Sequence, residues 1–111
     1  MRRTIKNMQV ADAATEVTSA MAMDPGHNTV SIGAELLAGV TVAVYVDQSN
    51  DAANWDFGET KIVEFLPSTP TERSAYGSTI NPKVAARYFR LRAVAQGAAA
   101  VFAAEVETLY K

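Results

Sequence analysis

The chain has no cysteine and a single histidine, His27, among its 111 residues. Without cysteine it can form no disulfide scaffold, no thiolate zinc site and no cysteine nucleophile. The sequence also lacks Gly-x-Ser-x-Gly, a phosphate-binding loop and His-Glu-x-x-His. Its acidic residues are scattered, so no pair is assignable as general acid and general base. The sequence therefore predicts a protein that is not an enzyme and needs no cofactor.

Long apolar runs and an excess of basic charge are also absent. No stretch approaches the roughly 20 apolar residues of a spanning helix, and polar residues follow Arg2 and Arg3 where a signal peptide would be apolar. The formal net charge is −2, which provides no large basic surface for nucleic acid. We expect contact with neither nucleic acid nor membrane, and no Sec-type export step.

The composition that is present is typical of one small globular domain, with 49% hydrophobic and 20% charged residues. We expect residues 11–111 to form that domain and residues 1–10 to be an N-terminal arm or an edge strand. Arg2, Arg3 and Lys6 in this segment are candidates for contact with an acidic partner surface.

Alternation with period 2, typical of strands, dominates the apolar pattern. It is clearest at Val40 to Val46, before a loop predicted over Asp47 to Asn54, and a short strand is predicted in 61–66. Arg87 to Val94 and Ala100 to Leu109 alternate on either side of Ala95-Gln96-Gly97-Ala98, which predicts a hairpin. In that hairpin Phe89 and Leu91 would share the inner face with Phe102, Ala104 and Val106, and Arg90 would lie near Glu105 on the outer face.

Turn-forming residues divide the remaining sequence. Asp24-Pro25-Gly26 predicts a turn between two further paired strands, although residues 11–23 have a helix as an alternative. Residues 68–82 have the composition of a long exposed loop, in which Arg73 and Tyr76 are candidates for partner contact. The whole pattern predicts an all-β fold, a single antiparallel, jelly-roll-like sandwich of six to eight strands.

One motif combines two segments, Val42-x-Val44-x-Val46-Asp47-x-Ser49-Asn50-Asp51-x-x-x-Trp55 and Ala86-Arg87-Tyr88-Phe89-Arg90-Leu91-Arg92. The Ser-Asn-Asp run predicts a side-chain-closed turn, and Trp55 is predicted to cover the open end of the sandwich, as part of the core. Arg87 is expected to stack on an aromatic ring or pair with a carboxylate. A calcium site at Asp47 and Asp51 is the alternative, although a third acidic ligand is missing.

This motif resembles small virion proteins of tailed bacteriophages, among them head decoration or cement proteins, and also discoidin-like, galactose-binding sandwiches. The resemblance covers about residues 30 to 110 and concerns the fold more than the function. It implies a virion structural protein that binds and stabilises the capsid surface, with the major capsid protein and sister copies as partners. A homo-oligomer, such as a trimer at three-fold positions, is also implied, as is assembly in the host cytoplasm.

Two other functions remain open at the level of sequence. One is a head–tail or tail component of the same virion, which would have the same composition. The other is a carbohydrate-binding module, for which Trp55, Phe57, Arg73 and Tyr76 are the residues able to contact a sugar ring. If Trp55 is buried, the strongest of these four candidates is not available to a sugar.

Overall fold

A computed structural model of the chain describes residues 2–39, 41–58, 63–65, 74–76 and 82–110. These residues form nine strands and no helix, and therefore include no helix long and apolar enough to cross a bilayer. The strands are β1 (Arg2–Val10), β2 (Thr15–Val17), β3 (Met21–Ala22), β4 (Thr29–Ala38), β5 (Thr41–Ser49), β6 (Val63–Phe65), β7 (Ser74–Tyr76), β8 (Tyr88–Gln96) and β9 (Ala100–Leu109).

The strands form two antiparallel sheets in a jelly-roll order. The first sheet has the order β1-β9-β4-β7 and the second β2-β8-β5-β6. β5 pairs with one edge of β8 along its whole length, so β2 and β3 both pair with the other edge. Because β2 and β3 share one position in the sheet, the nine strands occupy eight positions. The first strand pairs with the last, β1 with β9, and the second strand pairs with the second-to-last, β2 with β8. This is the order of two nested Greek keys. The predicted antiparallel sandwich of six to eight strands is confirmed.

The core lies between the sheets and follows directly from the alternating pattern. Every second residue of β8 and β9 is buried, and the intervening residues are at least partly exposed. Phe89 and Phe102, the largest fully buried side chains, come from opposite sheets. Val10, at the end of β1, is 1% exposed and belongs to the same core, so residues 2–10 form an edge strand.

The predicted hairpin between β8 and β9 is wrong, because the two strands belong to different sheets. Phe89 and Leu91 do share the core with Phe102, but they face it across the sandwich. A short connection containing Gly97, whose φ is +86°, serves equally well to join strands within a sheet and between sheets. Period-2 alternation does not distinguish the two arrangements.

The Asp24-Pro25-Gly26 turn forms, but it also connects the two sheets. The His27 N–H donates to the Asp24 carbonyl at 3.0 Å, and Gly26 has a φ of +80°, which suits a type II turn with proline at its second position. The turn leads from β3 in the second sheet to β4 in the first, so the predicted strand pair is wrong. The alternative helix in 11–23 is replaced by β2 and β3.

Two predicted boundaries also differ. The loop predicted from Asp47 onward begins later, because β5 continues to Ser49. Within β5, Asp47 forms ion pairs with Arg90 and Arg92 of the same sheet. The predicted loop 68–82 contains β7, a strand of three residues that is too short to show alternation. Val40, Arg73 and most of that loop lie outside the described residues.

An arginine and aromatic cluster as the candidate functional site

A concentrated group of charged and aromatic side chains lies on the outer face of the second sheet. Phe89, Leu91 and Ala93 of β8 point into the core, which places Arg90 and Arg92 on the outer side. On the adjacent strand β5, Asp47 lies opposite Arg90, and Tyr45 lies opposite Arg92. The alternation that builds the core therefore also brings a carboxylate, a phenol and two guanidinium groups together.

Asp47 is the centre of this group and has no exposed surface. Its Oδ2 accepts a hydrogen bond from Arg90 Nε at 3.1 Å, and its Oδ1 accepts one from Arg92 Nε at 3.2 Å. The backbone N–H of Gly58 donates to Oδ1 at 3.0 Å. A buried carboxylate is stable only when it is paired and hydrogen-bonded in this way. Asp47 is therefore a structural anion, and the calcium ligand considered for it is incompatible with these contacts.

Three aromatic rings surround the two guanidinium groups. Arg90 lies 4.4 Å from the centre of the Trp55 ring, and Arg92 lies 4.4 Å from that of Tyr45. Phe57 lies beside both, at 5.7 Å from Arg90 and 5.2 Å from Arg92. Such contacts stabilise by about 0.5–2 kcal/mol each, depending on desolvation. Phe57 itself is 63% exposed, which makes it the apolar tip of the cluster.

Trp55 does not occupy the position predicted for it. It is half-buried, is not a member of the core between the sheets, and lies on the outer face of the second sheet against Arg90. The chain returns to the sheet here through paired backbone hydrogen bonds between Gln48 and Asp56, at 2.8 and 3.0 Å. Arg90 stacks on the ring that was a candidate for sugar stacking.

The loop before Trp55 closes through its own side chains. Ser49 Oγ accepts the N–H groups of Asp51 and Ala52, and Asp51 Oδ1 accepts those of Ala53 and Asn54, all at 2.8–3.2 Å. The donors around Asp51, led by the backbone N–H of Asn54 and then of Ala53, hold the pKa of this carboxyl well below its usual range. This network fixes the distance between the end of β5 and Trp55.

Asn50 connects the same loop to the chain before β8. Its Oδ1 accepts the backbone N–H of Arg87 at 3.1 Å, while the Arg87 side chain is exposed. The stacking and carboxylate pairing expected of Arg87 are found instead at Arg90 and Arg92, further along the chain in β8. Glu105, predicted near Arg90, lies on the other sheet.

Those of the remaining predicted contact residues that the structure describes belong to the first sheet and not to the cluster. Arg2 lies opposite Glu107 in the pairing of β1 with β9, and Arg3 and Lys6 on the same edge strand are exposed. Tyr76, in β7 at the other edge, lies opposite Gly33 of β4. The structure thus separates the basic N-terminal residues from Tyr76 by the width of a sheet.

The outer face of the first sheet carries an open depression of about 350 Å³. Its floor lies where β4 and β9 have small residues, Gly33 and Ala103, and the exposed carboxylates of Glu35 and Glu105 stand beside it. The described residues contain no group of three or more His, Asp or Glu side chains arranged to hold a metal ion. The depression and the arginine and aromatic cluster therefore lie on different sheets.

The cluster is not evident from the sequence, because a predicted hairpin of β8 and β9 pairs Arg90 with the wrong strand. Tyr45 and Arg92 were not recognised as functional, although a signal for them was present. Arg90, Arg92, Tyr45 and Asp47 all occupy the non-core phase of their strands, where a neighbouring strand can place opposite charges side by side. Which strand supplies the carboxylate depends on the topology.

Comparison with known proteins adds information on the fold. No protein-family model matches the chain, and no curated protein matches it in sequence. Among solved structures, the PBSX exported protein XepA is similar, with a TM-score of 0.71 and 12% sequence identity. The match covers all of this chain but 37% of the XepA chain, so this protein corresponds to about a third of that one. At this level of identity the similarity shows a shared fold.

Proposed function

We propose that this protein is a non-enzymatic structural component of a phage virion, and specifically a decoration protein that binds and stabilises the capsid surface. The observation that supports it best is the similarity of the entire chain to a domain-sized part of an exported protein of the phage PBSX. The resemblance of the sequence motif to virion proteins of tailed bacteriophages supports the same origin. The jelly-roll order is also a frequent architecture of viral capsid domains.

The distribution of polar groups supports an adhesive role and not catalysis. Asp47 and Ser49, both buried, are engaged in holding the sheet and its loop together. His27, the one imidazole, makes a 2.8 Å contact through Nδ1 with the hydroxyl of Thr108 near the turn. The buried polar side chains named here thus serve to hold the fold together.

The capsid contact is proposed to involve the exposed basic side chains of Arg3 and Lys6, with the major capsid protein as partner. Both lie on the edge strand β1, where a neighbouring surface has access to the strand as well as to the charges. Many copies on a lattice would multiply a weak individual contact, and sister copies would add to it.

The test is binding to capsids that have been stripped of minor proteins and assembled from the major capsid protein encoded in the same genome. We expect the protein to co-elute with capsids in a regular copy number, and the variant Arg3→Glu/Lys6→Glu to bind more weakly. Deleting residues 1–10 is unsuitable, because Val10 belongs to the core. The matched control is Glu16→Lys on β2 of the other sheet, which should bind like the wild type. If the protein does not bind capsids but binds purified tails, it is a tail component instead.

Carbohydrate binding is a second candidate because the cluster contains an exposed aromatic ring. Phe57 is 63% exposed, whereas the ring of Trp55 is stacked on Arg90. Because Phe57 and Trp55 contact the same guanidinium group, a sugar stacked on Phe57 should change Trp55 emission. Saturable changes on titration with a glycan panel, abolished by Phe57→Ala, would favour this function over the capsid.

A further inference from the structure

The two arginines of the cluster differ in how much of each guanidinium group the protein itself uses. Arg92 donates from Nε to Asp47 and from Nη2 to the carbonyl of Gly58. Arg90 donates to Asp47 from Nε, and its Nη1 and Nη2 groups have no acceptor among the described residues. Every buried side-chain nitrogen or oxygen in that part of the chain has a partner, so these two groups reach the solvent. Arg90 therefore has a pair of donors that a ligand can use.

The outer end of Arg90 is also held in one position. Its Nε is fixed by the buried carboxylate of Asp47, and its guanidinium group lies 4.4 Å from the centre of the Trp55 ring. On the other side of β8, the N–H of Thr18 donates to the carbonyl of Leu91, and Thr18 Oγ1 accepts the N–H of Leu91. A donor pair that is already oriented loses little conformational entropy when it binds a ligand.

The geometry and charge of the donor pair favour a carboxylate. Two parallel N–H groups of a guanidinium match the two oxygens of a planar carboxylate. Arg90, Arg92 and Asp47 together carry one positive charge, which a single carboxylate neutralises. The Arg90 side chain is 15% exposed, so a small group has access to it. One carboxylate is therefore the group that this donor pair fits.

Phe57 indicates what the carboxylate is attached to. Its ring is 63% exposed and its centre lies 5.7 Å from the Arg90 guanidinium group. A sugar ring has a face of C–H groups that stacks on such an aromatic ring. One exposed ring beside one pair of donors has the scale of a single sugar unit, whereas a stable protein contact buries about 800 Å² on each partner. These dimensions favour a sugar over the surface of another protein.

We propose that this site binds a sugar that carries a carboxylate, such as a uronic acid unit of an acidic polysaccharide. The carboxylate accepts from Nη1 and Nη2 of Arg90, and the sugar ring stacks on Phe57. The inference rests on the carbohydrate candidate given above, to which it adds the charge of the sugar and the residue that recognises it. Arg90 belongs to the second sheet and β1 to the first, so the site is separate from the proposed capsid contact.

The experiment is calorimetric titration with methyl β-glucuronide and methyl β-glucoside. These two probes differ only at C6, where the first has a carboxylate and the second a CH₂OH group. We expect the wild type to bind the glucuronide at least about tenfold more tightly, because a charge-assisted pair of hydrogen bonds forms only with that probe. The preference should decrease as the salt concentration rises.

Three variants assign the preference to residues. Arg90→Lys keeps a charge for Asp47 but lacks the pair of parallel donors, so it should bind both probes alike. Phe57→Ala should weaken the binding of both. Arg87→Lys is the matched control, the same substitution at an exposed arginine outside the cluster, and should keep the preference of the wild type. Thermal unfolding verifies that each variant is folded, and if Arg90→Lys is not, the comparison of probes on the wild type still decides.

The outcomes separate this inference from the carbohydrate function itself. Equal affinity of the wild type for the two probes would overturn the inference and leave a neutral sugar as the ligand. If neither probe binds, both proposals fail. An Arg90→Lys variant with an unchanged preference would also contradict the role of Arg90. The α-amide of N-acetylglutamic acid has a carboxylate but no sugar ring, and equal binding of this probe would mean that the site takes an acidic peptide instead.

Discussion

The carbonyl oxygen of Val46 occupies the space that a side chain at Gly58 would need. This close approach lets Gly58 connect both ends of the cluster, since its N–H donates to Asp47 and its carbonyl accepts from Arg92 Nη2 at 2.7 Å. Only glycine lets the backbone come so near the sheet. The position of Gly58 against the sheet therefore helps to place Trp55 and Phe57, which precede it in the chain.

We expect Gly58→Ala to displace this segment and to lower the free energy of unfolding by about 1–3 kcal/mol, the usual cost of overpacking. Urea unfolding followed by Trp55 emission measures both effects, because Trp55 is the one tryptophan of the chain. The control is Gly26→Ala, where an added Cβ meets nothing within 4 Å but the positive φ is retained. That variant should lose stability without altering the native emission of Trp55, and an equal spectral change in both would contradict the account.

Removal of the central carboxylate should be costly. In Asp47→Ala the guanidinium groups of Arg90 and Arg92 lose their shared partner inside the sheet face, which we expect to destabilise the fold by about 3 kcal/mol. Asp12→Ala, at an exposed position before β2, is the control and should change stability by less than about 0.5 kcal/mol. Chemical denaturation of both variants provides the measurement. Similar midpoints for both would mean that Asp47 is not the anchor of the cluster.

The contact between Arg90 and Trp55 has a spectroscopic consequence. Arg90→Met removes the cation stacked on the indole ring, so the emission of Trp55 should change and its quenching by acrylamide should increase. Arg92→Met removes a cation from Tyr45 instead and serves as the matched control, with a smaller effect on Trp55. If the two variants altered Trp55 equally, the assignment of one arginine to each ring would be wrong.

The loop closed by Asp51 should make stability depend on acid pH. Its pKa is lowered in the folded state by the donors of Asn54, Ala53 and Ser49, so it favours folding above its unfolded pKa, near 4. That contribution is lost as the pH falls from about 4 toward the folded value. We expect the difference in stability between pH 6 and pH 2.5 to be smaller in Asp51→Asn than in the wild type. Parallel pH profiles for the two proteins would contradict this role.

Much of the fold is predictable from the sequence because burial and exposure alternate so regularly. The phase of Val42, Val44 and Val46, and that of Phe89 and Leu91, correctly identifies the residues that enter the core. The turn at Pro25 and Gly26 is equally local, since it needs only a fixed φ and a residue that tolerates a positive one.

The topology and the cluster were not predictable in the same way. Nothing local in Ala95-Gln96-Gly97-Ala98 shows that the chain crosses to the other sheet, so Arg90 was assigned to the wrong acidic partner. The true partner, Asp47, is 43 residues away in sequence. The position of Trp55 depends on the same long-range arrangement, because it lies on the arginine that Asp47 orients.

Electron cryomicroscopy of stripped capsids saturated with the protein is the most direct test of the capsid function. The account predicts additional sandwich-shaped density at equivalent positions over the lattice, with β1 nearest the shell and with weaker occupancy in Arg3→Glu/Lys6→Glu. Capsids indistinguishable from the bare shell, at protein concentrations where the wild type is folded and in excess, would contradict it.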